Sequence, residues 1–279
     1  MHTDLSNADY HDHPALSKSD FDAARKSGRH FFDKRNGPPR DSTAAFNFGS
    51  VVHATALPGE CVDSIAVRMP EGMKRTTKEG KAFVAEHQDK IILSPSDAYA
   101  VDQMMLSLRE HPFSAGLVNG ELKGKAEQSF FCTDTETGLE LKARPDFILD
   151  DLSLIIDLKT TIDASPKGFQ RSVANYRYYV QASHYLDVVE MATGTRPQAF
   201  LFVAVEKQRP FSTAVYMADQ AMIDLGKQHA REDLNRIAQW IAIDKFPGYS
   251  ERVEEISLPK WMLPKEDGSP ANYQPIELY

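Results

Sequence analysis

The chain has 279 residues, 42% hydrophobic and 10% aromatic, which is enough apolar material for one sizeable core. Its formal charge of −8 argues against a protein that coats nucleic acid over its whole surface, because that binding needs Lys and Arg to displace counterions; a locally basic channel stays open. Two cysteines, Cys61 and Cys132, exclude a disulfide framework, a four-cysteine zinc site and an iron–sulfur cluster, so any metal must be held by oxygen and imidazole.

Residues 1–14 are rich in Asp, His and Asn and end at Pro14, which reads as a flexible arm, with no metal role for His2, His11 or His13. Ser17 followed by Asp20 is an N-cap with an acid three residues on, and Phe21, Ala24, Gly28 and Phe31 recur at helical spacing, so one helix is expected to about Phe32. A second helix is expected from Ser42-Thr43 to Leu57, with Phe46, Gly49, Ser50 and His53 on one face. Taken singly, His53 reads as a hydrogen-bonded interior histidine. A short strand follows at Ser64 to Met69, then a basic loop to Lys78, a helix from Glu79 to Asp89, and a capped helix from Ser94 whose core face is Val101, Met104, Met105 and Leu108.

Gly124 to Thr133 turns to strand patterning and contains Glu127. Leu139–Leu149 and Leu152–Thr161 then alternate at period two around Asp150-Asp151, the signature of a hairpin. In the second run Leu152, Leu154, Ile156 and Leu158 share one face, and Ser153, Ile155, Asp157 and Lys159 the other. A two-residue turn would set Asp146 across from Ile155, leaving Asp157 on its diagonal at roughly 7–8 Å, a span one cation can bridge. If Thr135–Gly138 is a four-residue loop, Asp134 faces Leu139 and Glu127 faces Asp146. Ser165-Pro166 opens helical patterning that runs to about Ala192 with a break near Asn175, and places Gln181 and Tyr185 on one face. Strands at 199–206 and 211–217 and a helix from Gln220 to about Asp244 complete the pattern. The expected organisation is a flexible arm at 1–14, one α/β domain at 15–246, and an extended or partly disordered tail at 247–279. No apolar run approaches the roughly 18 residues of a membrane span, and a cytoplasmic protein that does not engage membranes is expected.

Pro145-Asp146 with Asp157-Leu158-Lys159 resembles the PD-(D/E)XK signature of restriction-endonuclease-like nucleases. With His53 before it, the Gln181-x-x-x-Tyr185 pair after it, and the basic loop at Lys74 to Lys81, the chain resembles RecE-type phage exonucleases, the exonuclease VIII family, over roughly residues 15–245. That resemblance implies a restriction-endonuclease-like core, a central mixed sheet with an antiparallel hairpin flanked by helices. It implies Mg²⁺, with Mn²⁺ tolerated, held by His53, Glu127, Asp146, Asp157 and the Leu158 carbonyl. Lys159 would orient or deprotonate the attacking water, and Gln181 and Tyr185 would support the site. It further implies exonucleolytic hydrolysis of linear double-stranded DNA from 5′ to 3′, a homo-oligomeric ring, and a single-strand annealing partner in recombination. Arg25, Ser27 and Arg29 suggest a pocket for a 5′-phosphate. A restriction-type endonuclease and a non-catalytic DNA-binding protein that retains the fold are the alternatives.

Overall fold

The structure, a computed structural model, describes residues 2–3, 5–38, 44–58, 62–259 and 262. A two-residue strand β1 (His2–Thr3) is followed by helix α1 (Asn7–Asp12), then α2 (Lys18–Lys26), α3 (Gly28–Asn36) and α4 (Ala44–Ala56). The flexible arm expected at the amino terminus is thus in part a short helix, and Tyr10 on it is buried. Polar composition suggested an arm because the groups that hold this helix, Lys142 and Arg144, lie far along the chain. The single helix expected to Phe32 is two. At Ser27 the backbone is extended and the hydroxyl caps α3 by accepting from the His30 N–H. Gly28 sits at the break because a Cβ there would fall 2.7–2.9 Å from Phe246 and Pro247. The Ser42-Thr43 start of the next helix, the Phe46 side chain and Cys61 lie outside the described residues.

Helix α5 (Val62–Ile65) and strand β2 (Ala66–Arg68) replace the strand expected at Ser64 to Met69; β2 pairs in parallel with β3 (Ile91–Leu93) across helix α6 (Lys78–Glu86). Ser94 and Asp97 cap α7 (Pro95–Glu110), and Val101, Met104, Met105 and Leu108 are its buried face. The short α8 (Ser114–Val118) leads to β4 (Gly124–Ala126), β5 (Ser129–Thr133), β6 (Glu140–Ala143), β7 (Phe147–Leu149) and β8 (Leu154–Thr161). Then come α9 (Pro166–Asn175), α10 (Tyr178–Thr193), β9 (Ala199–Glu206), β10 (Thr213–Met217) and α11 (Gln220–Ala242). Beyond Pro247 the described residues to Pro259 form neither helix nor strand, and most of the remaining tail lies outside them.

The central sheet has five strands in the order β10-β9-β8-β7-β4 and is mixed: β8 and β9 are parallel, the other pairs antiparallel. A smaller sheet, β1-β5-β6, continues from it. Phe130 pairs with Ala143, Cys132 with Leu141, Ala126 with Phe147 and Gly124 with Leu149, all in one register. So β4–β5 and β6–β7 form one long ribbon, interrupted where Glu127 takes a left-handed backbone at φ 53°. Asp134 N donates to Leu139 O at 2.9 Å, which closes the turn at Thr135–Gly138.

The β7–β8 turn differs from the two-residue turn expected. Phe147 pairs with Ile156 and Ile148 with Ile155, so residues 150–153 form the turn, with Leu152 at φ 60°. The register moves by two residues, which leaves every side chain on its expected face. Continued by one residue, it sets Asp146 across from Asp157 rather than on its diagonal.

Both faces of β8 are buried. Ile155 packs with Ile148, Val180, Phe200 and Phe202 on the side covered by α10 and α11. Ile156 and Leu158 pack with Val52, Val101, Met104 and Val203 on the side covered by α4 and α7. Full burial of each such side chain is worth about 1.5–3 kcal/mol, so the strand that carries Asp157 and Lys159 is anchored from both sides. No helix among the described residues is long and apolar enough to cross a membrane.

Candidate metal centre

One position opposite Asp146 and one helix above β8 bring the titratable groups together. His53 on α4, Glu127 at the break of the ribbon, and Asp146 just before β7 present ligand atoms that all lie within 4.8 Å of one another. His53 Nδ1 stands 3.5 Å from Asp146 Oδ2, and the same oxygen accepts the Leu158 N–H at 2.7 Å. Burial works against a charged His53, but the carboxylate of Asp146 outweighs it and raises the imidazole above its ordinary value. Burial likewise opposes the Asp146 carboxylate, yet His53, Lys159 and the Leu158 N–H hold it below the usual carboxylate range.

Asp157 forms the floor of the site and is fully buried. Gln181 Nε2 donates to its Oδ1 at 2.6 Å, and Lys159 Nζ lies 2.6 Å from its Oδ2. The second contact is an ion pair, with Oδ2 otherwise without a partner. Burial pushes Asp157 up to about 6, with Lys159 opposing and Asp146 adding to the rise. Lys159 is raised: burial favours the neutral amine, and Asp157 and Asp146 together overcome it. The amine also sits 4.8 Å from the centroid of the Tyr178 ring. Tyr185, one turn beyond Gln181, is raised well above the ordinary phenol value by burial, against a hydrogen bond with Gln181.

The residues singled out in the sequence therefore divide. His53, Glu127 and Asp146 form one cluster; Asp157, Lys159 and Gln181 adjoin it as a bonded set, with Tyr185 behind Gln181. Leu158 touches the site through its N–H. Arg25, Ser27 and Arg29 are not among these contacts. Arg25 pairs loosely with Glu232 at 3.5 Å, the Ser27 hydroxyl is engaged by His30, and the Arg29 N–H donates to Pro247 O. Two neighbours escaped the sequence reading. Lys18 reaches Asp22, Tyr176 O and the face of the Tyr178 ring from a distant helix, and nothing in the sequence signals that approach. Arg144 binds Glu127, and its place two residues before Asp146 on an alternating strand was a usable signal.

The donor set fits a divalent cation. Imidazole and two carboxylates converge within one coordination sphere, and Asp157 adds a third acid whose Oδ2 lacks a hydrogen bond. Carboxylates suit Mg²⁺, and the imidazole suits Mn²⁺ at least as well.

One solved structure shares the architecture of this chain. A crystal structure from Eubacterium rectale, provisionally assigned as an exonuclease, matches with a TM-score of 0.65 at 14% identity, covering 92% of this chain and 97% of its own. A phage related exonuclease from Haemophilus somnus 129PT matches with a TM-score of 0.33 at 13% identity, covering 71% and 96%. The alkaline exonuclease LHK-Exo from Laribacter hongkongensis matches with a TM-score of 0.31 at 13% identity, covering 62% and 87%. No curated protein matches in sequence. The model of one family does, over residues 17–259, and it spans the helix of His53, the interrupted ribbon, the Asp157–Lys159 strand and the Gln181 helix alike: the chain belongs to the PDDEXK-like domain family of unknown function (DUF3799).

Proposed function

We propose that this protein is a metal-dependent deoxyribonuclease that degrades linear double-stranded DNA from its ends, in the 5′ to 3′ direction. The observation that carries the reading is the convergence of His53, Glu127 and Asp146 beside the Asp157–Lys159 pair. The provisional assignment of the Eubacterium rectale structure as an exonuclease supports it.

Phosphodiester hydrolysis requires charge neutralisation at phosphorus, an oriented water and a stabilised leaving oxygen. A divalent cation held by His53, Glu127 and Asp146, with Asp157 adjacent, would neutralise the phosphate and lower the pKa of water. Lys159 supplies a positive point charge held in place by Asp157 and the Tyr178 ring. Held beside Asp157 and over the Tyr178 ring, the amine is placed to orient the attacking water and to pair with the phosphate. Gln181 fixes the Asp157 carboxylate, and Tyr185 backs Gln181. The same reading extends to a ring of subunits around the duplex, an annealing partner in recombination, and end recognition by Arg25, Ser27 and Arg29.

The test is digestion of linear duplexes labelled at the 5′ or the 3′ end, with Mg²⁺ and with chelator, beside closed circular duplex and the Lys159→Ala variant. Mg²⁺-dependent release from 5′ ends, with the circle intact, is expected. Cleavage of the circle would make it an endonuclease. Cleavage by Lys159→Ala equal to wild type would overturn the chemistry, and an inert wild type would leave a DNA-binding protein.

A further inference from the structure

Glu127 is held in an uncommon way. Its backbone is left-handed, which a non-glycine residue keeps only when its surroundings impose it. Its N–H donates to Asp146 O at 3.1 Å, and Arg144 grips it further: Nε donates to the Glu127 carbonyl at 2.7 Å and lies 3.0 Å from Oε2 of the same residue. One guanidinium thus grips both the main chain and the side chain of Glu127.

The other end of that guanidinium points away from the metal centre, to the amino-terminal segment. Nη2 donates to Leu5 O at 3.1 Å and Nη1 to Ser6 O at 3.4 Å. The guanidinium carbon stands 5.2 Å from the centroid of the Tyr10 ring, a stacking distance for arginine. Tyr10 is buried on α1 and packs on Phe131. Lys142, on β6 two residues before Arg144, fastens the other end of α1. Its ammonium donates to Tyr10 O at 2.5 Å, His13 O at 2.8 Å and His11 O at 3.2 Å. Those are the carbonyls at the negative end of the helix, where a cation is favoured.

We propose that Arg144 is a positioning residue for Glu127 and that α1, through Tyr10 and the Leu5 and Ser6 carbonyls, is the support that holds Arg144 in place. The amino-terminal helix is then a working part of the metal centre, coupled to cation affinity without touching the ion. This rests on the reading of His53, Glu127 and Asp146 as the cation ligands.

The test is calorimetric titration of Mn²⁺ into the full-length protein, with circular dichroism to establish folding. Arg144→Lys keeps the charge and loses the fork, and roughly a 10-fold loss of Mn²⁺ affinity is expected, as for other groups that orient a ligand. Tyr10→Ala should weaken binding in the same direction, and Tyr10→Phe, which keeps the ring, should restore it. In a Glu127→Gln background neither Arg144→Lys nor Tyr10→Ala should change the affinity further. Unchanged or tighter binding in Arg144→Lys overturns the inference, as do losses that persist in full without the Glu127 carboxylate. A second lysine substitution, Arg236→Lys on α11, controls for a general effect of Arg replacement; a loss equal to that of Arg144→Lys also overturns it. A wild type that takes up no Mn²⁺ overturns the ligand reading itself, a result distinct from normal uptake with indifferent variants.

Discussion

Replacing Gln181 with leucine removes one hydrogen bond from one fully buried carboxylate and leaves the volume nearly unchanged, so cavity effects are small. Gln181 Nε2 lies 2.6 Å from Asp157 Oδ1, and the opposite oxygen pairs with Lys159 at 2.6 Å. A hydrogen bond to a charged group is worth roughly 1.5–3 kcal/mol. At about 1.4 kcal/mol per pH unit, that corresponds to a rise of roughly one to two units in the proton affinity of Asp157. Burial already pushes this carboxyl up to about 6. A carboxyl raised on folding binds its proton more tightly in the folded state. The stabilisation this brings is complete below the ordinary carboxylate pKa and is lost as pH rises through the folded value. Gln181→Leu should therefore cost roughly 1.5–3 kcal/mol above about pH 8 and progressively less toward about pH 5. The bond from Gln181 to Tyr185 is lost too, but a phenol raised well above its ordinary value contributes no slope across that range. Urea unfolding in chelator from about pH 5 to 8.5 reads the stability. A destabilisation independent of pH would refute the role assigned to this contact.

Lys159→Ala should lower the cleavage rate by about 10²–10⁴-fold, measured in single-turnover digestion, with calorimetric Mn²⁺ uptake retained. Asp134→Asn should cost roughly 1.5–3 kcal/mol in urea unfolding at neutral pH, because it breaks the paired contacts with Arg231 at 2.7 and 3.0 Å. Burial raises Asp134, but Arg231 and Thr137 outweigh it and pull it down to about 2. Its contribution is therefore present above the ordinary carboxylate value and fades as pH falls toward about 2, so wild type and variant should converge in acid. Gly226→Ala would gain about 1 kcal/mol of helix propensity. Its Cβ would lie 2.1 Å from Tyr179 O where α11 crosses α10. The clash exceeds that gain, and thermal unfolding should show a net loss of about 1–3 kcal/mol.

Period-two alternation made the faces of β8 legible, and it survived a wrong turn length because the error was two residues. The turn itself was not legible, since it depends on Leu152 in a left-handed backbone that its side chain does not advertise. Caps were readable where the partners are three residues apart, as at Ser94 and Asp97. Breaks that arise from distant neighbours were not: Ser27 separates two helices where Phe246 and Pro247 close on Gly28. In the candidate site, Asp146, Asp157, Lys159 and Gln181 could be placed from spacing within single elements. Their supports meet across the chain: the spacing of Arg144 from Asp146 offered a signal for one, while local pattern carries nothing of Lys18 or Tyr10.

The turn that ends the β5–β6 ribbon has a consequence for how this protein can change length. Arg231 on α11 and Thr137 hold Asp134, whose N–H in turn holds Leu139. Residues added between Glu136 and Thr137 would enlarge the loop and give up the Thr137 contacts, leaving Arg231 and the Asp134–Leu139 bond to set the pairing, so Glu127 would still meet Asp146. One residue removed from within β5 would rotate Glu127 to the opposite side of the ribbon. The surface tip can therefore accept a tag or an inherited insertion, while the strand behind it tolerates no change in count.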